Sequence, residues 1–267
     1  MLELVSSAPD PALRPYVRGY YAYRERTTGP MRRRELPSSD VILVLNLGAE
    51  LRLVEPREAR HTSFVAGLDE QSAVTEHDGE AQGIQVNFTP FGAHRFLGVP
   101  MHALAHRVVE LDDLLGPDAN HLTERLHDTA DWKPRCDVLD SVVRARLATA
   151  TTATPEVVWA WRRLVATAGR VRIGGLAQEL GWSRKRLAAR FREEIGLPAK
   201  ACARILRFRR ALRLLERDDG TPWAEIALAC GYFDQAHLNR DFRRLAGSTP
   251  SEFLARRIGD GLGVRPA

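Results

Sequence analysis

A chain of 267 residues is long enough for two ordinary domains, each with its own core. Three cysteines, odd in number and without a CxxC pairing, argue against a disulfide framework or a zinc knuckle; the chain has no run of eighteen apolar residues and no signal-like start, so it is expected to be cytoplasmic with no membrane partner. The net charge of +5 is uneven: residues 1–155 hold 17 Lys and Arg against 22 Asp and Glu, whereas residues 156–257 hold 21 against 11, which makes the second stretch the candidate nucleic-acid half.

In chain order, short alternating or apolar runs at 17–23, 41–47, 51–54 and 84–88 predict strands, the last with Ile84, Val86 and Phe88 on one face. Turn-formers separate them, and the spacing fits an antiparallel sheet or small barrel. Met31-Arg32-Arg33-Arg34 reads as a solvated loop. From Pro90 the period becomes helical, with short bracing helices predicted at 91–97, 111–115, 120–129 and 135–148. The small polar stretch 149–155 reads as a linker, so the expected domains are 1–150 and 151–267.

Beyond Pro155 the pattern is entirely helical, with helices predicted at 156–168, 174–180, 184–195, 199–217, 222–229, 235–245 and 250–257. Ser183, Thr221, Asp234 and Thr249 stand where N-caps are needed, and Gly181, Gly196, Gly220, Gly231 and Gly247 stand at ends.

One pattern occurs twice in this region. The first copy is Leu176-Ala177-Gln178-Glu179-Leu180-Gly181-Trp182-Ser183, then Leu187, Phe191 and Gly196; the second is Ile226-Ala227-Leu228-Ala229-Cys230-Gly231-Tyr232-Phe233-Asp234, then Leu238, Phe242 and Gly247. Each has a short helix, a glycine turn and a capped second helix anchored by Leu and Phe, which is the grammar of a helix-turn-helix unit. The anchors leave Arg184, Lys185, Ala188, Ala189 and Arg192 outward in the first unit, and Gln235, Ala236, His237, Asn239 and Arg240 in the second. Gln and Asn can bond an adenine edge in two places, Arg can do so to guanine, and Ala can rest on a thymine methyl, so the second unit reads as the better base reader and the first as richer in phosphate contacts. The helix between the units has an apolar stripe of Cys202, Ile205, Phe208, Leu212 and Leu215. Of its Arg204, Arg207, Arg209, Arg210 and Arg213, some are expected to meet phosphates.

These residues resemble the AraC/XylS-type transcription regulators, most specifically in Gly231-Tyr232-Phe233-Asp234-Gln235-Ala236-His237-Leu238-Asn239-Arg240-Asp241-Phe242 and the closing Gly247-Ser248-Thr249-Pro250-Ser251-Glu252-Phe253. The resemblance implies two helix-turn-helix units in adjacent major grooves of double-stranded DNA. It puts Lys185, Ala188 and Ala189, then Gln235, Ala236, His237, Asn239 and Arg240, at base-facing positions. The family often carries arginine where Ala189 stands. Glu35-Leu36-Pro37 and Asn87-Phe88-Thr89-Pro90-Phe91-Gly92-Ala93 resemble the sensing domain of one branch, which implies a cupin-like β-barrel followed by helices. The fold class expected is therefore α+β: an N-terminal cupin-like barrel with bracing helices, then an all-α domain of two helix-turn-helix units joined by a long helix.

No enzymatic constellation competes with this reading. His61, His77 and His94 stand on separate segments, and the His102/His106 pair lacks the glutamate of a zincin helix, so neither a metal, a cofactor nor a catalytic residue is expected. Tyr16, Tyr20, Tyr21, Tyr23, Phe64 and Phe88 read as barrel core ahead of effector pocket, and Trp159, Trp161, Trp182 and Trp223 as packing between helices. The remaining candidate partners are an unidentified small-molecule effector, RNA polymerase and a second copy of the chain.

Overall fold

The computed structural model describes residues 1–217 and 219–256. Its N-terminal half is built on two antiparallel sheets. The larger contains β1 (Leu2–Ser7), β2 (Val17–Arg26), β4 (Val41–Asn46), β7 (Phe64–Ala66), β9 (Glu80–Phe88) and β10 (Val108–Glu110), in the order β1-β2-β9-β4-β7-β10. The smaller runs β3-β8-β5-β6, from β3 (Met31–Glu35), β5 (Leu51–Glu55), β6 (Ala59–His61) and β8 (Ala73–His77).

Alternation along the strands decides what each face of the larger sheet meets. Leu43 and Leu45 of β4 stand opposite Val86 and Ile84 of β9, and Tyr20 of β2 also faces Val86. All are at most 1 % exposed. This face packs on α1 (Pro90–Leu97), where Phe88 stacks on Phe96 at 4.9 Å, and on α4 (Trp132–Thr149), where the Tyr20 hydroxyl donates to Asp140 at 2.7 Å. Burial and then the Asp140 carboxylate hold that phenol protonated well above its ordinary range. The helices α2 (Leu111–Leu115) and α3 (Pro117–His127) complete the layer.

The other face turns Tyr21, Tyr23, Ile42, Val44, Gln85 and Asn87 toward the smaller sheet, across a cavity of about 550 Å³. The main apolar core therefore lies between sheet and helices, while the space between the sheets stays partly open and polar. Tyr20 and Phe88 are core, as expected, whereas Tyr21, Tyr23 and Phe64 line the cavity.

Residues 31–34, expected as a solvated loop, instead form most of β3, paired with β8. Arg32 meets Glu76 and Arg33 meets Glu25, each at 2.5 Å, and Arg34 donates to Ser72 at 2.9 Å. Partners supplied by strands remote in sequence make a basic run tolerable in a sheet.

The C-terminal half is helical: α5 (Pro155–Ala166), α6 (Ile173–Glu179), α7 (Arg184–Glu194), α8 (Ala199–Leu215), α9 (Trp223–Ala229), α10 (Gln235–Ala246) and α11 (Pro250–Ala255). The predicted final helix extended to Arg257, which lies outside the described residues. Thr221, expected as an N-cap, instead bonds Asp219, and Pro222 occupies the cap position of α9. Thr249 forms a full capping box with Glu252.

The segment before α5 is held by α7. The Thr154 N–H donates to Glu194 Oε2 at 2.8 Å, and Arg190 donates to the Thr154 hydroxyl and forms an ion pair with Glu194. Trp161 of α5 meets the Phe91 ring of α1 edge-on at 6.5 Å, joining the helical half to the helices that back the sheet. Among the described residues no helix is long and apolar enough to cross a membrane.

Candidate nucleic-acid interface

The two repeated units share a construction. In the first, α6 ends and Gly181 takes a left-handed φ of 64°, letting the Trp182 N–H return to the Ala177 carbonyl at 2.8 Å. In the second, Gly231 has φ 81°, and the Tyr232 N–H reaches the Ala227 carbonyl at 3.0 Å. Ser183 Oγ then accepts from the Arg186 N–H at 3.1 Å and Asp234 Oδ1 from the His237 N–H at 2.6 Å, starting α7 and α10. Leu187, Phe191, Leu238 and Phe242 are each fully buried. Phe242 packs edge-on between Phe208 of α8 at 5.1 Å and Phe253 of α11 at 5.5 Å, which fixes the rotation of α10 about its axis.

That rotation decides what reaches solvent. On α7, Arg184, Lys185, Ala189 and Arg192 are exposed and Ala188 is half-buried. On α10, Ala236 and Arg240 are exposed, while Gln235, His237 and Asn239 are half-buried on the flanks. Asn239 Oδ1 is enclosed without a donor among the described residues, and the His237 ring leans edge-on against Tyr232 at 5.2 Å with Nδ1 toward the Phe233 N–H at 3.4 Å. All ten predicted site residues thus lie on two helices, with Ala236 and Arg240 standing furthest out on the second. Arg186 and Arg243 are exposed beside them and escaped the sequence reading. Arg186 stacks on Trp182 at 4.5 Å, and Arg243 continues the 236–240 stripe by one helical step.

The charges separate by partner. Among the described residues no carboxylate forms an ion pair with Arg184, Lys185, Arg192, Arg240 or Arg243. Four of the α8 arginines have neighbours within the protein. Arg204 pairs with Glu70 and lies 3.7 Å from Asp241, and Arg207 lies 3.9 Å from Asp241 over the Tyr232 ring. Arg209 and Arg213 face the cavity between the sheets. The apolar stripe of α8 is buried throughout, as its periodicity predicts. Outward cations without partners can neutralise phosphates at no cost in broken ion pairs, whereas Arg204 and Arg207 would have to leave carboxylates to do so.

The helix α8 also closes the cavity. Leu212, Glu216, Arg209 and Arg213 form part of its wall, with Phe253 of α11 beside them. Across from them stand two histidines read as isolated: His61 Nδ1 lies 2.5 Å from Glu110, and His77 Nε2 lies 3.1 Å from Glu25, which Arg33 also holds. Burial, then Glu35 and Glu25, push the neighbouring Tyr23 phenol above its usual range. The wall thus mixes apolar side chains with many charged and polar ones, several of them fixed by ion pairs and hydrogen bonds.

Residues 176–256 match the family model of a helix-turn-helix domain, and residues 6–110 match that of a domain of unknown function, DUF6597. No curated protein matches the chain. Among solved structures, ToxT from Vibrio cholerae O395 is similar over 88% of this chain and 96% of that one, at 11% identity and a TM-score of 0.47. Wild-type ToxT from Vibrio cholerae strain SCE256, bound to an unsaturated fatty acid, is similar over 86% of this chain and 96% of that one, at 13% identity and a TM-score of 0.46. The C-terminal domain of AraT, a response regulator from Geobacillus stearothermophilus, is similar over 40% of this chain and 90% of that one, at 22% identity and a TM-score of 0.37. The capped, duplicated units fall within the stretch that matches the helix-turn-helix domain model, residues 176–256, and that stretch is carried behind an N-terminal sheet domain.

Proposed function

We propose that this chain is a sequence-specific transcription regulator in which α7 and α10 enter successive major grooves of duplex DNA. The observation that carries the reading is the duplicated, Leu/Phe-anchored unit whose outward cations Arg184, Lys185, Arg192 and Arg240 have no carboxylate partner among the described residues. At ~1.5 Å per residue the 17 residues of α8 span roughly 26 Å, and the width of the flanking units extends this toward the ~34 Å between groove repeats. On α7, Arg184 and Arg192 serve phosphates while Lys185, Ala188 and Ala189 face bases; on α10, Gln235, Ala236, His237, Asn239 and Arg240 carry most of the base readout. Residues 1–150 act as the regulatory unit and 151–267 as the reading unit.

The cavity between the sheets takes a small-molecule effector. Its size is that of ordinary ligand sites. Because α8 forms part of its wall, an occupant that fits one arrangement of that helix better than another shifts how the two units are presented. RNA polymerase and a second copy of the chain belong to the same reading as partners at the promoter.

Selection of sites from a random duplex pool, followed by titration of the winning site at rising salt, tests the reading. A selective site whose affinity falls steeply with salt is expected. Failure to enrich any sequence, or binding indifferent to salt, overturns it.

A further inference from the structure

The two units agree in register except at one residue. The helix, glycine and aromatic of each turn correspond at a spacing of 50 (Ala177 with Ala227, Gly181 with Gly231, Trp182 with Tyr232), whereas caps and anchors correspond at 51 (Ser183 with Asp234, Leu187 with Leu238, Phe191 with Phe242). The second turn therefore carries one extra residue, Phe233. The first turn closes with the same backbone hydrogen bond and the same side-chain cap without it, so the fold of a turn does not require it.

Nor does packing require it. Phe233 is 84 % exposed, against complete burial of Phe191 and Phe242. Among the described residues its N–H meets His237 Nδ1 at 3.4 Å. It sits directly before the cap of α10, at the end from which helix-turn-helix recognition helices touch base edges, next to Gln235 and Ala236. A phenyl ring offers a phosphate neither charge nor donor. In the major groove its partner is the 5-methyl group of thymine.

We propose that Phe233 is a specificity-determining residue that packs on a thymine methyl at the border of the site read by α10. The proposal rests on the DNA-binding reading above. The two fail differently: a chain that enriches no duplex ends the reading, whereas the proposal is tested only on a site the chain does select.

On that site, full-length protein is titrated against duplexes in which each thymine in turn is replaced by deoxyuridine, which removes the methyl alone. Wild type is expected to lose about four-fold at one thymine, the worth of one buried methyl group. Phe233→Ala is expected to show that loss already on the thymine duplex and none further on the deoxyuridine duplex, with an unchanged salt dependence and melting temperature. Phe233→Leu is expected to retain most of the discrimination. The proposal is overturned if Phe233→Ala binds as tightly as wild type, if the deoxyuridine losses persist undiminished in that variant, or if the variant keeps its DNA binding and loses only transcription activation, which would assign the ring to a protein partner.

Discussion

Glu70, on the loop joining β7 to β8, forms an ion pair with Arg204 in α8, and its second carboxylate oxygen lies 3.5 Å from Arg244 of α10. Glu70 and Arg204 are about 15 % exposed, whereas Arg244 is 55 % exposed. A carboxylate of the sheet domain thus neutralises charge on both α8 and α10. Removing it leaves Arg204 largely desolvated with only the more distant Asp241. Glu70→Gln is expected to lower stability on the order of 2 kcal/mol. Arg244→Ala is expected to cost under about 1 kcal/mol because that side chain is in water. Urea denaturation of both variants checks the contrast; equal losses would place the pair's worth elsewhere.

Arg240 stands outward without an ion-pair partner among the described residues, so its replacement tests readout cleanly. Arg240→Ala is expected to cost about 1–3 kcal/mol at the selected site and little on random duplex. Competitive binding with both DNAs measures it. Equal losses on the two would move Arg240 to the phosphate-contacting class.

Phe242 is fully buried between Phe208 and Phe253. Truncation to alanine opens a void in the small core that orients α10, at an expected cost of about 3–5 kcal/mol. Thermal melting followed by circular dichroism gives the loss, and selective DNA binding is expected to fall with it.

Glu76 is held below the ordinary carboxylate range, first by its hydrogen bond to Arg32, with Arg52 adding to it at 2.7 Å and burial opposing. A folded-state pKa below the unfolded one gives stability that is present above the unfolded value and is lost as pH falls through the folded one. Glu76→Gln is therefore expected to melt below wild type at neutral pH, with the gap closing as pH drops beneath the carboxylate range. A gap that stays constant to pH 3 would contradict this account.

Cys136, Cys202 and Cys230 are each at most 4 % exposed, and burial pushes all three thiols above their ordinary value. A colorimetric thiol reagent at pH 8 is expected to find none of them in the native protein and all three in denaturant.

What the sequence made legible followed from local rules. The caps Ser183, Asp234 and Thr249, the turn glycines and the Leu/Phe spacing act within a dozen residues, and they locate α7 and α10 and the anchors that bury one side of each. What it concealed depended on remote partners. Arg32 and Arg33 read as loop because Glu76 and Glu25 lie on other strands, and the sequence did not tell which α8 arginines have carboxylate neighbours, because Glu70 and Asp241 meet Arg204 and Arg207 only after folding. Thr221 looked like a cap until Asp219 claimed its hydroxyl. His61 and His77 stand 16 positions apart, and only the facing of two sheets brings both to one cavity.

The wall that α8 contributes to the cavity has a practical consequence for redesign. Because a single rod is both the axle between the two repeated units and a side of the chamber, Arg209, Leu212 and Arg213 cannot be exchanged to suit a new occupant without also altering the helix that sets those units apart. Ile42, Val44, Leu51 and Leu53 border the same space from β4 and β5, so retuning there leaves the residues of α8 unaltered.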